Sequence, residues 1–196
     1  MTELELKQLL SKITWPDETA RTAAHAHWAS LAKPLGGLGR LETMLEDAAA
    51  LTGTAELAFS RRAVLVLCAD TADFTTGPAM TRQQAVDAIA AGIRLVRAQK
   101  AAGVQLLATG EMGIGNTTTS SAVAAVLLGQ PVERMTGRGA GLSDAGLARK
   151  LDAIRRGIAR NRPDAADPLD VLSKLGGFDI AGLCGVFLGG ALEGLP

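Results

Sequence analysis

The sequence predicts an α/β protein: a mainly parallel sheet with helices on both faces, preceded by an N-terminal helical part. Three stretches point to it. Residues 63–69, AVLVLCA, form a short apolar run ended by Asp70. That is the pattern of a strand buried on both faces of a parallel sheet. Thr81 to Gln84 reads as a capping box, opening a helix whose apolar face carries Val86, Ile89, Ile93 and Val96. Residues 104–108 form a second apolar run, followed by a glycine-rich turn and an alanine-rich segment. Strand, helix, strand, helix is the order of a parallel sheet with crossover helices.

The remaining elements follow in chain order. Leu4, Leu6, Leu9, Leu10 and Ile13 recur at helix spacing. Thr14 and Pro16 are expected to open a second helix running to about Ala32. One Pro and three Gly within residues 33–39 mark a loop, and a third helix follows from about Arg40 to Leu51. After the second strand, a helix is expected from Thr117 to Leu128, then a short third strand over 132–135. Ser143 caps a basic helix to about Asn161, and Asp167-Pro168 opens another. Gly176-Gly177 makes a turn before an apolar helical run from Ile180 to Leu192. The chain divides into a helical part, 1–62, and an α/β nucleotide-binding part, 63–196, within one compact unit.

Composition narrows the function. The 196 residues are 47% apolar and 20% charged, which fits a globular chain rather than a disordered one. Twenty basic residues balance twenty acidic ones, so no global field favours nucleic acid or an anionic membrane. Aromatics make up 3% and Tyr is absent, which argues against a base-stacking platform. Cys68 and Cys184 both lie in apolar runs and are expected to be buried. The two histidines, His25 and His27, are two residues apart and point to different sides of a helix, so no metal is expected. The first residues carry acids and no apolar signal region, and no apolar run approaches a membrane span; a cytosolic protein is expected.

Two turns carry the chemistry. GEMGIGNTTT, residues 110–119, lies where a parallel strand ends and a helix begins, the usual place for a site in such sheets. Gly113 and Gly115 permit close backbone approach, while Asn116, Thr117 and Thr118 bring an amide and hydroxyls to the helix start. That suits a phosphate or a ribose. Glu111 is the exception, because a carboxylate repels phosphate; it suits a ribose hydroxyl or a proton. The second turn, residues 136–141, alternates Gly137, Arg138 and Gly139, with Lys150 about two turns into the helix behind it. Neither turn is a Walker loop or a dinucleotide fingerprint.

Five motifs suggest a family: KPLGGLGRLE (33–42), PAMTRQQA (78–85), GEMGIGNTTTSSA (110–122), GRGAGLSDAGLARK (137–150) and DPLDVLSKLGGFDIAGLCG (167–185). In this order they resemble the nicotinate-nucleotide–dimethylbenzimidazole phosphoribosyltransferases of cobalamin synthesis. The resemblance implies transfer of 5-phosphoribose from nicotinate mononucleotide to 5,6-dimethylbenzimidazole, giving α-ribazole 5′-phosphate and nicotinate without a cofactor. It places Glu111 near the ribose and nicotinate as the catalytic carboxylate. Gly113, Gly115, Asn116 and Thr117 would line the nucleotide site, Gly137, Arg138, Gly139 and Lys150 the phosphate side. Asp70 matches the acid that ends the family's first sheet strand.

The chain also departs from the pattern. In the family that acid is followed by His-Gly-Val and a long segment with further strands; here Pro78 follows closely. The family also runs on to a Gly-Glu-Gly motif, regarded as the benzimidazole base, which has no counterpart among these residues. Gly36-Gly37 stands where the family usually has Gly-Ser. Apolar edges left by the shorter sheet predict a homodimer or a complementing chain. The alternative to an enzyme is a non-catalytic nucleotide-binding or partner protein on the same scaffold.

Overall fold

The computed structural model describes all residues except 32, 33, 35, 70 and 71. Asp70, and Lys33 and Leu35 of the expected loop, therefore lie outside the described residues. The elements are α1 (Glu3–Leu10), α2 (Glu18–Ser30), α3 (Arg40–Thr52), β1 (Arg62–Cys68), α4 (Arg82–Ala101) and β2 (Leu106–Met112). Then come α5 (Asn116–Leu127), α6 (Val132–Met135), α7 (Asp144–Asn161), α8 (Pro168–Leu175) and α9 (Phe178–Glu193).

Local chemistry sets most of the boundaries. Thr81 and Gln84 form the reciprocal capping box of α4, as its sequence predicts. Ser143 Oγ accepts from Gly146 N to start α7, and Asp167 caps α8 with Pro168 at its first turn. The second helix starts later than expected: Asp17, not Thr14, accepts from the Thr19 and Ala20 amides. Arg82 ties three elements together. Its guanidinium donates to Glu3 of α1 and to Asp167 at the head of α8, each at 2.7 Å at the shortest. This pairing, with help from Lys7, holds the Glu3 carboxyl down at about 2.

β1 and β2 pair in parallel, Arg62 opposite Leu106 through Cys68 opposite Met112, with α4 as the connection between them. The expected third strand is absent. Residues 132–135 instead form the single turn α6, started by Pro131. Its four residues follow a proline whose φ of −54° suits a helix entrance, and Val132 packs against the core around Phe74 and Ile154. The second glycine turn thus runs between two helices rather than after a strand.

Leu65, Leu67 and Leu107 pack toward α9, with Val96, Val186 and Leu195 beneath them. The opposite face is not covered as the apolar run of β1 suggested: Val64 is 66% and Val66 56% exposed. Cys68, expected to be buried, lies on that exposed face, while Cys184 is half-buried on α9.

The centre of the molecule is the contact between α4 and α9. A Cβ on Gly92 would lie 2.1 Å from the Gly182 carbonyl oxygen, and one on Gly185 would lie 2.0 Å from that of Ile89. Only glycine lets the two backbones come this close. Around the contact, Leu6 of α1 joins Val86, Ile89 and Ile93 of α4 and Ala181 of α9 in one buried cluster. Gly185→Ala is expected to lower unfolding free energy by about 1–3 kcal/mol through overpacking, measured by urea denaturation. A variant as stable as the parent would show that the two helices can separate without cost.

Candidate functional site

The strand ends and the starts of α5 and α7 gather most of the expected residues. β2 ends at Met112, and Gly113 turns the chain; a Cβ there would lie 2.1 Å from the Ala69 carbonyl oxygen. The turn therefore hugs the end of β1. A cleft of about 470 Å³ opens at this point, lined by Cys68, Ala69, Met112, Gly113 and Ile114. Gly115 then takes the left-handed conformation, φ 85°, and α5 begins.

The start of α5 satisfies more of its own groups than expected. Thr117 N donates to Asn116 Oδ1 at 2.6 Å, and Thr118 N to the Gly115 carbonyl at 2.8 Å. The Thr117 hydroxyl faces outward to another partner. Lys150 of α7, 7% exposed, donates to Thr117 Oγ1 at 2.9 Å and to the Gly137 carbonyl at 3.0 Å. Gly139, with φ 57°, passes so close that a Cβ would sit 2.9 Å from Thr117 Oγ1. The two glycine turns thus meet at one buried ammonium. Arg138, on the same turn, is spent locally: it donates to the Leu142 carbonyl at 2.9 Å and pairs with Asp144.

Glu111 has a partner that the sequence did not disclose. Its side chain lies on the α9 side of the sheet and meets Asp179, in the first turn of α9. Asp179 is 3% exposed, and both Glu111 Oε1 and Asp179 Oδ2 are buried without a donor. Burial, and then the adjacent Asp179 carboxyl, push Glu111 above the usual carboxylate range. In the sequence Asp179 figures only within the 167–185 motif, just ahead of the apolar run from Ile180; an acid at the head of such a run is the signal that marks it. Among the described residues no cluster of His, Cys, Asp and Glu could hold a metal.

The model of a family described as phosphoribosyltransferase matches residues 13–72 and 69–196. The chain belongs to this phosphoribosyltransferase family. A Roseiflexus castenholzii protein named nicotinate-nucleotide–dimethylbenzimidazole phosphoribosyltransferase is 38% identical over 257 positions, covering 97% of this chain and 73% of its own length. One of the same name from Acetivibrio thermocellus is 39% identical, over 85% of this chain and 66% of its own. The crystal structure of CobT from Thermus thermophilus superposes with a TM-score of 0.81 at 30% identity, over 91% of this chain and 73% of that one. The Roseiflexus alignment has several dozen more positions than this chain has residues, and the family match breaks at 69–72. This phosphoribosyltransferase is therefore interrupted at the end of β1, as the early arrival of Pro78 predicted.

Burial alone pulls the Lys150 ammonium below its ordinary pKa. Below that lowered value both folded and unfolded chains carry the charge, and the folded state bears the full burial penalty. Between it and the ordinary value of about 10.5 the unfolded chain binds more protons, so stability rises with pH. Lys150→Met should remove this dependence. Its stability relative to the parent is expected to be most favourable near neutrality and to decline as pH approaches the ammonium range. Urea unfolding of both proteins across pH checks this; a gap independent of pH would show that burial of the charge is fully compensated. Thr117→Val, which strips a partner from the charge, should cost about 1–3 kcal/mol in the same assay.

Proposed function

We propose that this chain binds nicotinate mononucleotide at the two glycine turns and transfers its 5-phosphoribose to 5,6-dimethylbenzimidazole, giving α-ribazole 5′-phosphate and nicotinate. What carries the reading is the meeting of both turns at Lys150, within the motifs shared with relatives that bear this enzyme's name. The 5′-phosphate would be received by Lys150, Thr117 and the backbone of Gly137 and Gly139, where a cation and amide donors converge. Glu111 would face the ribose and the departing ring. Negative charge there stabilises the cationic anomeric carbon as the glycosidic bond breaks. Asp70 and Arg138 remain candidates for substrate contact, Arg138 by exchanging Asp144 for the phosphate. No cofactor is required by this chemistry.

Calorimetry with nicotinate mononucleotide is the direct test. The parent is expected to bind, and Lys150→Ala to bind about tenfold more weakly, the loss of a charge-assisted hydrogen bond of about 1.5 kcal/mol. Equal and millimolar binding by both would reduce the glycine turns to structural turns. Incubation of the parent with both substrates should yield α-ribazole 5′-phosphate. Binding without product would support the second reading, a nucleotide-binding protein on this scaffold, which the interruption at 69–72 favours.

The assembly we infer is a homodimer in the cytoplasm. Val64, Val66, Met112 and Ile114 are 56–80% exposed on and beside one sheet face, which a second copy would cover. Light scattering at micromolar concentration should give twice the chain mass, and Val66→Lys should halve it. A monomeric parent leaves that face to a complementing chain.

A further inference from the structure

The carboxyl pair does more than the proposed function asks of Glu111 alone. Two carboxyls lie against each other with an oxygen of each buried and undonated. Burial and the adjoining Asp179 carboxyl both disfavour the charged form of Glu111, so Glu111 is the member of the pair that keeps a proton. A proton between them gives each buried oxygen a partner. Asp179 lies in the first turn of α9, whose free N–H groups favour negative charge. The proton on Glu111 can therefore be donated toward the Asp179 carboxylate oxygen, at a helix start suited to accept it.

Among the described residues the surroundings isolate the pair. Of the titratable groups on neighbouring elements, Cys68 lies on the opposite face of the sheet, and Lys150 is held by Thr117 and Gly137. Asp179 is the one charged group acting on Glu111 among the described residues. The backbone is cut to fit both acids. A Cβ on Gly177 would lie 2.4 Å from Asp179 Oδ1, and one on Gly113 would lie 3.2 Å from Glu111 Oε1. Gly113, two residues after Glu111 and close to its Oε1, also lines the cleft at the strand ends, which is where we place the ligand ring.

We propose that Glu111 and Asp179 hold a single shared proton in the resting protein and release it when a positively charged heteroaromatic ring docks beside them. Asp179 is a positioning residue: it acts through Glu111 by keeping the proton on the pair. The ligand class rests on the phosphoribosyltransferase reading, in which the donor carries at one end a pyridinium ring, cationic at its nitrogen with a carboxylate on the ring carbon, and at the other a phosphate. The charge that acts on the pair is that of the ring nitrogen turned toward it. Approach of the ring's positive charge favours the doubly ionised pair, and the proton leaves to solvent. No bond of the ligand is made or broken in this step.

Two measurements test it. Infrared titration of the free protein should show a protonated carboxyl band persisting to neutral pH, lost in Asp179→Asn and in Glu111→Gln; if one variant does not fold, the other suffices. Calorimetry in two buffers of different ionisation enthalpy should then show release of about one proton per chain on binding nicotinate mononucleotide. Ribose 5-phosphate, which lacks the ring, should bind with no such release. Absence of the band at neutral pH overturns the shared proton. The band together with binding that releases no proton overturns its link to the ring. The band together with no binding of either compound refutes the phosphoribosyl reading, and with it the docking step.

Discussion

The close approach of α4 and α9 is the constraint on which the rest of the structure depends. Glycine in a helix interior costs roughly 1 kcal/mol relative to alanine, and α9 carries Gly182, Gly185, Gly189 and Gly190. That cost is accepted because the backbones of the two helices touch, Gly92 against Gly182 and Gly185 against Ile89. α4 is also the connection between the two parallel strands, so fixing α9 to α4 fixes it to the sheet. Gly182 repeats the device on the sheet side, where a Cβ would lie 2.2 Å from Leu67 Cδ2. The first turn of α9 is thereby held at the strand ends, and Asp179 reaches Glu111. Packing far from the site thus determines which charges meet within it.

The parts legible in the sequence are those governed by local chemistry. The capping box at Thr81, the Ser143 cap and the Asp167-Pro168 start each act within one helical turn, and all stand where their residues predict. β1 was visible as an apolar run and the parallel order from the helix between the strands, but β2 runs from Leu106 to Met112 rather than over 104–108, so Gly110, Glu111 and Met112 of the expected turn belong to the strand. Residues 132–135, Val-Glu-Arg-Met, misled because four residues are too few for a period to show; Pro131 and the packing of Val132 decide for a helical turn. β1 misled differently. A continuous apolar run says which side chains avoid water, but Val64 and Val66 have no cover among the described residues.

The site divides along the same line. Lys150, Thr117, Gly137 and Gly139 come from two motifs that each end in a helix start, and their meeting follows from α5 and α7 both packing around Ile154 and Ala122. The Glu111–Asp179 contact joins a strand end to a helix some seventy residues later, and no local pattern encodes it. Its trace in the sequence is a negative one, an acid where an apolar helix begins. Arg138 shows the converse: a fork of donors in a glycine turn advertises an anion site, but in this fold Leu142 and Asp144 already occupy it.

A two-stranded parallel sheet is too small to be stable by itself. Here it is a short platform that α9 carries from one side, with no cover on its other face among the described residues. This explains how an interruption at the end of β1 is compatible with an otherwise continuous fold: the elements that build the cradle, α5, α6, α7 and α8, form their own core around Phe74, Val171 and Leu175. That core does not pass through the sheet. The cradle's cation rests on the α5–α7–α8 core and the carboxyl pair on the α4–α9 contact, and α8 joins the two, with Val171 and Leu175 in one core and Leu172 in the other. A ligand with a phosphate at one end and a positively charged ring nitrogen at the other would suit such an arrangement, the phosphate toward Lys150 and the ring nitrogen toward the carboxyl pair. Within the Gly113-Ile114-Gly115 turn the glycines add no side chain, and Ile114 is 80% exposed.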